Sequence, residues 1–137
     1  MASFQLRAGQ IFRLFVPYIN PPKPKFLVLA YVANDQRARL FAINSEPTEF
    51  QKLNLADHQI AIAVSSYPAF LRHNSVLCCS ELVGGWSAAE LEDVLLNKPE
   101  CLVGELRQAD IVAVRAVVEK SRVLAGRDKD LILAQLR

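Results

Sequence analysis

The feature that most constrains the fold of this chain is an apolar run over residues 26–32, which follows the loop Asn20-Pro21-Pro22-Lys23-Pro24. So many prolines favour neither a helix nor a central strand, because proline lacks a backbone N–H. The loop is therefore expected to be extended and exposed, close to polyproline II. The segment that follows it, residues 25–32, is typical of a buried central strand.

Further strands are expected around this one. The predicted strands cover residues 9–16, 25–32, 39–44, 60–64 and 75–82. Pro17 ends the first, and the Asn34-Asp35 turn makes a hairpin of the second and third. Residues 45–48 are expected to end the third strand. Residues 49–59 favour a short extended segment. Residues 65–71 favour a turn with aromatic anchors. Gly84-Gly85 is expected to end the fifth strand.

The last third of the chain has helical patterns. Ser87-Ala88-Ala89-Glu90 is a capping box, so a helix is expected from there to about Leu96. A second helix is predicted from about Leu106 to Gly126, with Val123 on its apolar face, and Asp128 is expected to cap a third. The segment 101–103 is compatible with a sixth strand or a turn.

Strands followed by helices indicate an α+β fold. At 137 residues the chain is expected to be a single domain, residues 1–137. The strands favour a small curled antiparallel sheet or a barrel over residues 9–83, and residues 87–137 form the helical part.

The composition indicates which cellular compartment and which class of protein to expect. The hydrophobic fraction is 52% and no apolar run reaches the roughly 18 residues of a membrane span, so a folded core and no membrane segment are expected. Residues 1–9 lack the apolar region of a signal peptide, which favours the cytoplasm. The odd number of cysteines, Cys78, Cys79 and Cys101, argues against disulfides and for buried thiols.

Several familiar sites have no match in the chain. There is no phosphate-binding glycine loop, no CxxC and no HExxH, and neither His58 nor His73 stands at zinc-finger spacing from a cysteine. No metal or cofactor is therefore expected. A Ser–His–acid triad stays open, because triads assemble in space, although the chain has no Gly-x-Ser-x-Gly elbow.

Charge is unevenly divided along the chain. Residues 1–80 hold eight Lys/Arg and four Asp/Glu, a net +4, whereas residues 81–137 hold eight and ten, a net −2. The first half can therefore contact nucleic acid, although the chain is far less basic than a dedicated nucleic-acid-binding domain.

Several segments in order resemble the MazF/PemK-like toxin superfamily. They are Gly9-Gln10-Ile11-Phe12, residues 23–29, Phe41-Ala42-Ile43-Asn44-Ser45 and residues 67–76. The resemblance implies an SH3-like barrel with C-terminal helices, a homodimer and an antitoxin partner. It also implies a metal-independent endoribonuclease that cleaves single-stranded RNA.

The resemblance also points to site residues. The arginine that precedes the family's proline corresponds to Lys23, and the threonine after its third strand to Ser45 or Asn44. Lysine keeps the charge but loses the planar fork of arginine, and serine keeps a hydroxyl. His73 is the candidate for proton transfer, since histidine titrates near neutral pH. The predicted catalytic residues are Lys23, Ser45 and His73, and the predicted RNA-binding residues are Lys25, Asn44 and Arg72.

Two alternatives stay open. The departures at Lys23 and Ser45 also fit a non-catalytic SH3-like protein-interaction module, with the proline-rich loop and the C-terminal helices as its contact surfaces. A different small-barrel enzyme is the third possibility. Because a fold does not fix a function, these readings need the geometry of the site to separate them.

Overall fold

The computed structural model describes residues 6–19, 21–45 and 49–137. Its strands are β1 (Gln10–Val16), β2 (Lys23–Val32), β3 (Arg37–Asn44), β4 (Gln59–Ile62), β5 (Ser75–Ser87) and β6 (Leu102–Glu105). Its α-helices are α1 (Glu49–Asn54), α2 (Ala88–Asn97), α3 (Gln108–Lys120) and α4 (Gly126–Gln135). The prediction of an α+β fold is confirmed. Asn20 and residues 46–48, where the sequence predicts loop and break, lie outside the described residues.

The six described strands form one curled antiparallel sheet in the order β4-β5-β3-β2-β1-β6. The predicted hairpin of β2 and β3 is confirmed, with Phe26 opposite Ile43 and Val28 opposite Phe41. These two strands occupy the middle of the sheet and pair on both sides. The apolar run over residues 26–32 is explained by this position.

Helices cover the two faces of the sheet, because successive side chains of a strand point to opposite faces. One face packs on α3 and α4, in a cluster that includes Val28, Phe41, Val114 and Ile132. The other face packs on α2, in a cluster that includes Leu27, Leu40, Leu91 and Leu95. With cover on both sides, β2 has no solvent-facing stripe in its middle, so residues 27–31 are all buried.

The two glycines at 84 and 85 do not end the fifth strand as predicted, since β5 continues through them to Ser87. Gly85 has a φ of +112°, a conformation that glycine adopts easily. The pairing of β3 with β5 is irregular there: Ala38 faces Trp86, but Leu40, two residues away, faces Val83, three residues away. The glycines therefore lie at a register shift within a long strand and do not terminate it.

Two other segments in the first half differ from the prediction. Residues 49–54 form α1 and residues 56–58 a 3-10 turn, where a short extended segment was expected.

Lys23 and Pro24 belong to β2, although the prolines predict a loop up to Pro24. Here β2 pairs only with β1, because its pairing with β3 starts at Phe26. An unpaired side tolerates proline, which has no N–H to offer.

The helix after Ser87 begins as predicted, but the two later helices divide differently. The capping box is confirmed: Ser87 Oγ accepts from the backbone N–H of Glu90 at 3.1 Å. Helix α3 ends at Lys120, earlier than predicted, because Ser121 Oγ accepts the backbone N–H groups of Val123 and Leu124. Val123 is therefore off the helix and 52% exposed, and Gly126 starts α4 instead of ending α3.

The segment 101–103 is divided between a 3-10 turn and β6, which pairs with the edge of β1. The predicted buried thiols are confirmed at Cys78 and Cys79, whereas Cys101 is only half-buried. Burial raises the pKa of the Cys79 thiol. Within the described ranges, no helix is long and apolar enough to span a bilayer.

Helix α4 is tied to the central strand by polar contacts. The Tyr31 hydroxyl donates to Asp128 Oδ1 at 2.6 Å, so Asp128 binds the sheet and does not act as the predicted helix cap. The Gln135 amide accepts from the Val32 N–H at 2.9 Å and donates to the Val32 carbonyl at 2.8 Å. These bonds fix α4 along β2.

Tyr31→Phe removes the bond to Asp128 and is expected to lower the free energy of unfolding by about 1–3 kcal/mol at pH 7. Burial first, and then the bond to Asp128, raises the pKa of Tyr31 from 10.0 to about 12. Between these values the folded protein keeps a proton that the unfolded chain releases, so this stabilisation is complete below pH 10 and is lost as the pH rises through about 12. Urea unfolding from pH 8 to 12 should show a shallower alkaline loss for Tyr31→Phe than for wild type. Parallel losses would contradict this role of Tyr31.

Candidate functional site

The predicted site residues line one cleft at an end of the sheet, which we call the cationic cleft. Its volume is about 300 Å³. It is lined by Lys23, Pro24, Lys25, Phe26, Ile43, Asn44, Ser45, Leu71, Arg72, His73 and Ser75. All six residues predicted for catalysis or RNA binding are in this list, so the structure brings together side chains that the sequence could only propose separately.

Antiparallel pairing explains this convergence. The start of β2 lies beside the end of β3, because Phe26 faces Ile43, and this places Lys25 next to Asn44. The end of β3 lies beside the start of β5, because Asn44 faces Val76. The loop that carries Arg72 and His73 leads directly into β5. Three segments that are distant in sequence thus meet at one end of the sheet.

The aromatic turn before β5 holds the wall of the cationic cleft in place. The Phe70 ring packs on Phe26 and Tyr67, with centroids 4.9 Å and 5.7 Å apart. The Tyr67 hydroxyl donates to Asp110 and accepts from the backbone N–H of Arg107, the latter at 2.9 Å. Tyr67 is buried, so the predicted aromatic anchor is confirmed; it joins this loop to α3 and is not available to stack on a base.

The cleft is positively charged. Lys23, Arg72 and His73 are exposed, and none of the described residues that line the cleft is acidic. Lys25 is half-buried and donates a hydrogen bond to Asn44 Oδ1. Burial, and then the nearby charge of Lys23, lowers the pKa of Lys25 from the ordinary 10.5. The arrangement can bind an anion and offers an amine that releases its proton more easily than an exposed lysine.

Competitive acetylation with a trace of acetic anhydride over a range of pH, read by mass spectrometry, should place the titration midpoint of Lys25 below 10.5. Asn44→Asp should raise that midpoint, because a carboxylate beside the amine favours its charged form. A wild-type midpoint at or above 10.5 would show that Lys25 is not desolvated in solution.

A second cavity, the apolar cleft, adjoins the cationic cleft and has a volume of about 480 Å³. Its lining consists of Val16, Tyr18, Ile19, Lys25, Leu27, Ala42, Asn44, Glu81, Leu82, Val83, Gly84 and Gly85. Lys25 and Asn44 therefore form the wall between the two clefts. Tyr18 and Glu81 are not among the residues that the sequence predicts, because their position depends on the irregular pairing of β5. Lys25 is two residues from the apolar Leu27 and so lies on the same face of β2, which is a sequence signal for the partial burial of Lys25.

A Ser–His–Asp chain lies elsewhere, between the 3-10 turn before β4 and the end of α3. His58 Nε2 is 2.7 Å from Ser121 Oγ, and His58 Nδ1 is 2.9 Å from Asp57 Oδ1. This matches the connectivity of a catalytic triad. However, Ser121 is buried and its oxygen already accepts two backbone N–H groups, so both lone pairs of the would-be nucleophile are in use. These hydrogen bonds join the end of α3 to the turn before β4, so Asp57, His58 and Ser121 have a structural role.

Ser121→Ala leaves the buried His58 Nε2 without its partner and is expected to lower the free energy of unfolding by about 1–3 kcal/mol. Ser65→Ala, at an exposed serine, serves as the matched control and should stay within about 0.5 kcal/mol of wild type. Urea unfolding measures both. Covalent labelling of Ser121 by a fluorophosphonate would instead identify it as a nucleophile.

Among the residues that the structure describes, no cluster of three or more His, Cys, Asp or Glu side chains is arranged to hold a metal ion. Comparison of the chain with models of protein families, with curated proteins and with solved structures finds no match.

Proposed function

We propose that this chain is a MazF/PemK-like endoribonuclease that cleaves single-stranded RNA without a metal ion, in the cationic cleft. The observation that carries the proposal is the composition of this cleft: its basic side chains come from two separate segments, the start of β2 and the loop before β5, and no described acidic residue lines it. A site of this charge favours a phosphodiester over a neutral or cationic ligand. The hydroxyl of Ser45 and the amide of Asn44 add groups that hydrogen-bond phosphate oxygens or ribose.

The reaction is attack of a ribose 2′-oxygen on the adjacent phosphorus. A base takes the 2′-hydroxyl proton, the 2′-oxygen bonds to phosphorus, and the bond from phosphorus to the 5′-oxygen breaks. An acid returns a proton to that 5′-oxygen, so the products are a 2′,3′-cyclic phosphate and a 5′-hydroxyl. Lys23 and Arg72 are exposed at the cleft and serve to hold the phosphate as negative charge develops.

Two side chains of the cleft are suited to the proton transfers. His73 is exposed, and the turn that carries it is fixed by the bond from Ser75 Oγ to the His73 carbonyl at 3.1 Å. Lys25 is the second, because its pKa is lowered by burial and by the Lys23 charge. Assigning one group to each proton satisfies the need for an acid and a base in the same cleft.

The same proposal covers the assembly. We infer an SH3-like barrel built from the curled sheet, a homodimer, an antitoxin protein that blocks the cationic cleft, and action in the cytoplasm. Apolar side chains available for such contacts lie next to the proline-rich loop: Phe15 is 57% exposed and Tyr18 61% exposed.

These same exposed side chains favour the second candidate, a non-catalytic protein-interaction module. Together with exposed Pro21, Pro22 and Pro24, they give a partly apolar surface at one end of the sheet. Lysine in place of arginine at residue 23 also suits a protein that has lost catalysis. The charge of the cationic cleft is what ranks the nuclease first.

Purified protein incubated with a long single-stranded RNA and a chelator should release fragments that end in 2′,3′-cyclic phosphate. Lys23→Ala is expected to slow cleavage by about 100-fold or more, because it removes a cation that stabilises the transition state. The matched control is Lys98→Ala, an exposed lysine at the end of α2 that lines neither cleft. Gel electrophoresis and mass spectrometry of the fragments measure both effects.

If the RNA stays intact at high protein concentration, the hypothesis that the protein is an endoribonuclease is excluded. Binding of a non-cleavable RNA at rising salt then separates the remaining cases. If Lys23, Lys25 and Arg72 each neutralise a phosphate, log K should fall against log salt with a slope of about −2. A slope near zero would point to the protein-interaction module.

A further inference from the structure

The apolar cleft has the form of a binding site for a flat, partly apolar group. Its floor is made of side chains on the face of the sheet that packs on α2, including Val16, Leu27, Ala42 and Val83. Tyr18 stands at its rim, 61% exposed, and its hydroxyl donates to the Gly84 carbonyl at 3.0 Å. A ring held in this way offers a stacking face at low entropic cost. The volume of about 480 Å³ is in the range of small-ligand sites.

The position of the apolar cleft relates it to the cationic cleft. Lys25 and Asn44 line both, and the bond between them forms the shared wall. A polymer whose phosphate lies against Lys23 and Arg72 needs to cross only this wall to place its next group in the apolar cleft. Alternating phosphates and bases along single-stranded RNA match this alternation of a charged and an apolar compartment.

Glu81 is the acidic residue among those that line the apolar cleft. The irregular pairing between Cys78 and Val83 sets its position in β5. Its charge is close enough to act on two neighbours. The pKa of Tyr18 is raised by burial and then by Glu81, and Glu81 opposes the lowering of the Lys25 pKa by burial and Lys23. An ionised carboxylate accepts hydrogen bonds and donates none, so it favours a ligand with N–H groups and disfavours a phosphate.

We propose that the apolar cleft is a base-recognition site for single-stranded RNA and that it selects guanine through Glu81. This inference rests on the proposed RNA-binding function of the cationic cleft and adds the identity of the base. Guanine presents an N1–H and an N2 amino group side by side on its Watson–Crick edge, which match the two oxygens of one carboxylate. Uracil presents one N–H on that edge, flanked by carbonyl oxygens that a carboxylate repels.

The test uses fluorescein-labelled RNAs of about seven nucleotides with 2′-O-methyl riboses, which cannot be cleaved by 2′-oxygen attack. One contains uridine only, one has a central guanosine, and one has a central inosine, which lacks the N2 amino group. Fluorescence anisotropy should show the guanosine RNA binding wild type about tenfold or more tightly than the other two. Glu81→Gln should reduce this preference to about twofold or less, because an amide cannot accept two N–H groups side by side.

Two controls separate this inference from the function on which it rests. Glu92→Gln, at an exposed glutamate of α2, makes the same chemical change and should keep the guanosine preference. Lys23→Ala should weaken binding of all three RNAs by a similar factor and keep the preference. Equal binding of the three RNAs by wild type, or a preference that survives Glu81→Gln, overturns the guanine site while leaving the cationic cleft as an RNA site. Failure of wild type to bind any of the RNAs overturns both.

Discussion

The pairing of β2 with β3 is the interaction on which the rest of this structure depends. It places two apolar strands in the middle of the sheet, so that helices can cover both faces. The same register sets Lys25 beside Asn44 where the paired region ends. A lysine at that point keeps its stem along the sheet and its amine at the opening of two clefts. The chemistry of the site is thus a consequence of how the core is closed.

Much of this arrangement follows from local sequence. The apolar run after the proline-rich loop, the Asn34-Asp35 turn and the capping box at Ser87 each have a local physical cause, and each predicts its element correctly. The errors occur where a contact distant in sequence decides the outcome. Ser121, whose hydroxyl accepts the N–H groups that follow α3, is also bound to His58, 63 residues away, and no helical periodicity reports such a bond.

Of the two clefts, the cationic cleft could be predicted from the sequence and the apolar cleft could not. The residues of the cationic cleft are proposed from the family resemblance, and they meet because antiparallel strands bring their ends together. The apolar cleft cannot be proposed in this way. Glu81 lies in a strand whose partner changes register, and a slip of one residue would turn its side chain to the other face. Only the folded sheet shows that this carboxylate and Tyr18 belong to one cavity.

The bonds between Gln135 and the backbone of Val32 join residues 103 positions apart. The central strand is therefore completed by a segment that leaves the ribosome 103 residues after it. Until α4 has emerged, the face of β2 that it covers has only part of its apolar surroundings, and folding cannot finish element by element during synthesis. A nascent chain of this protein must carry its most apolar segment through the synthesis of those 103 residues without its final cover.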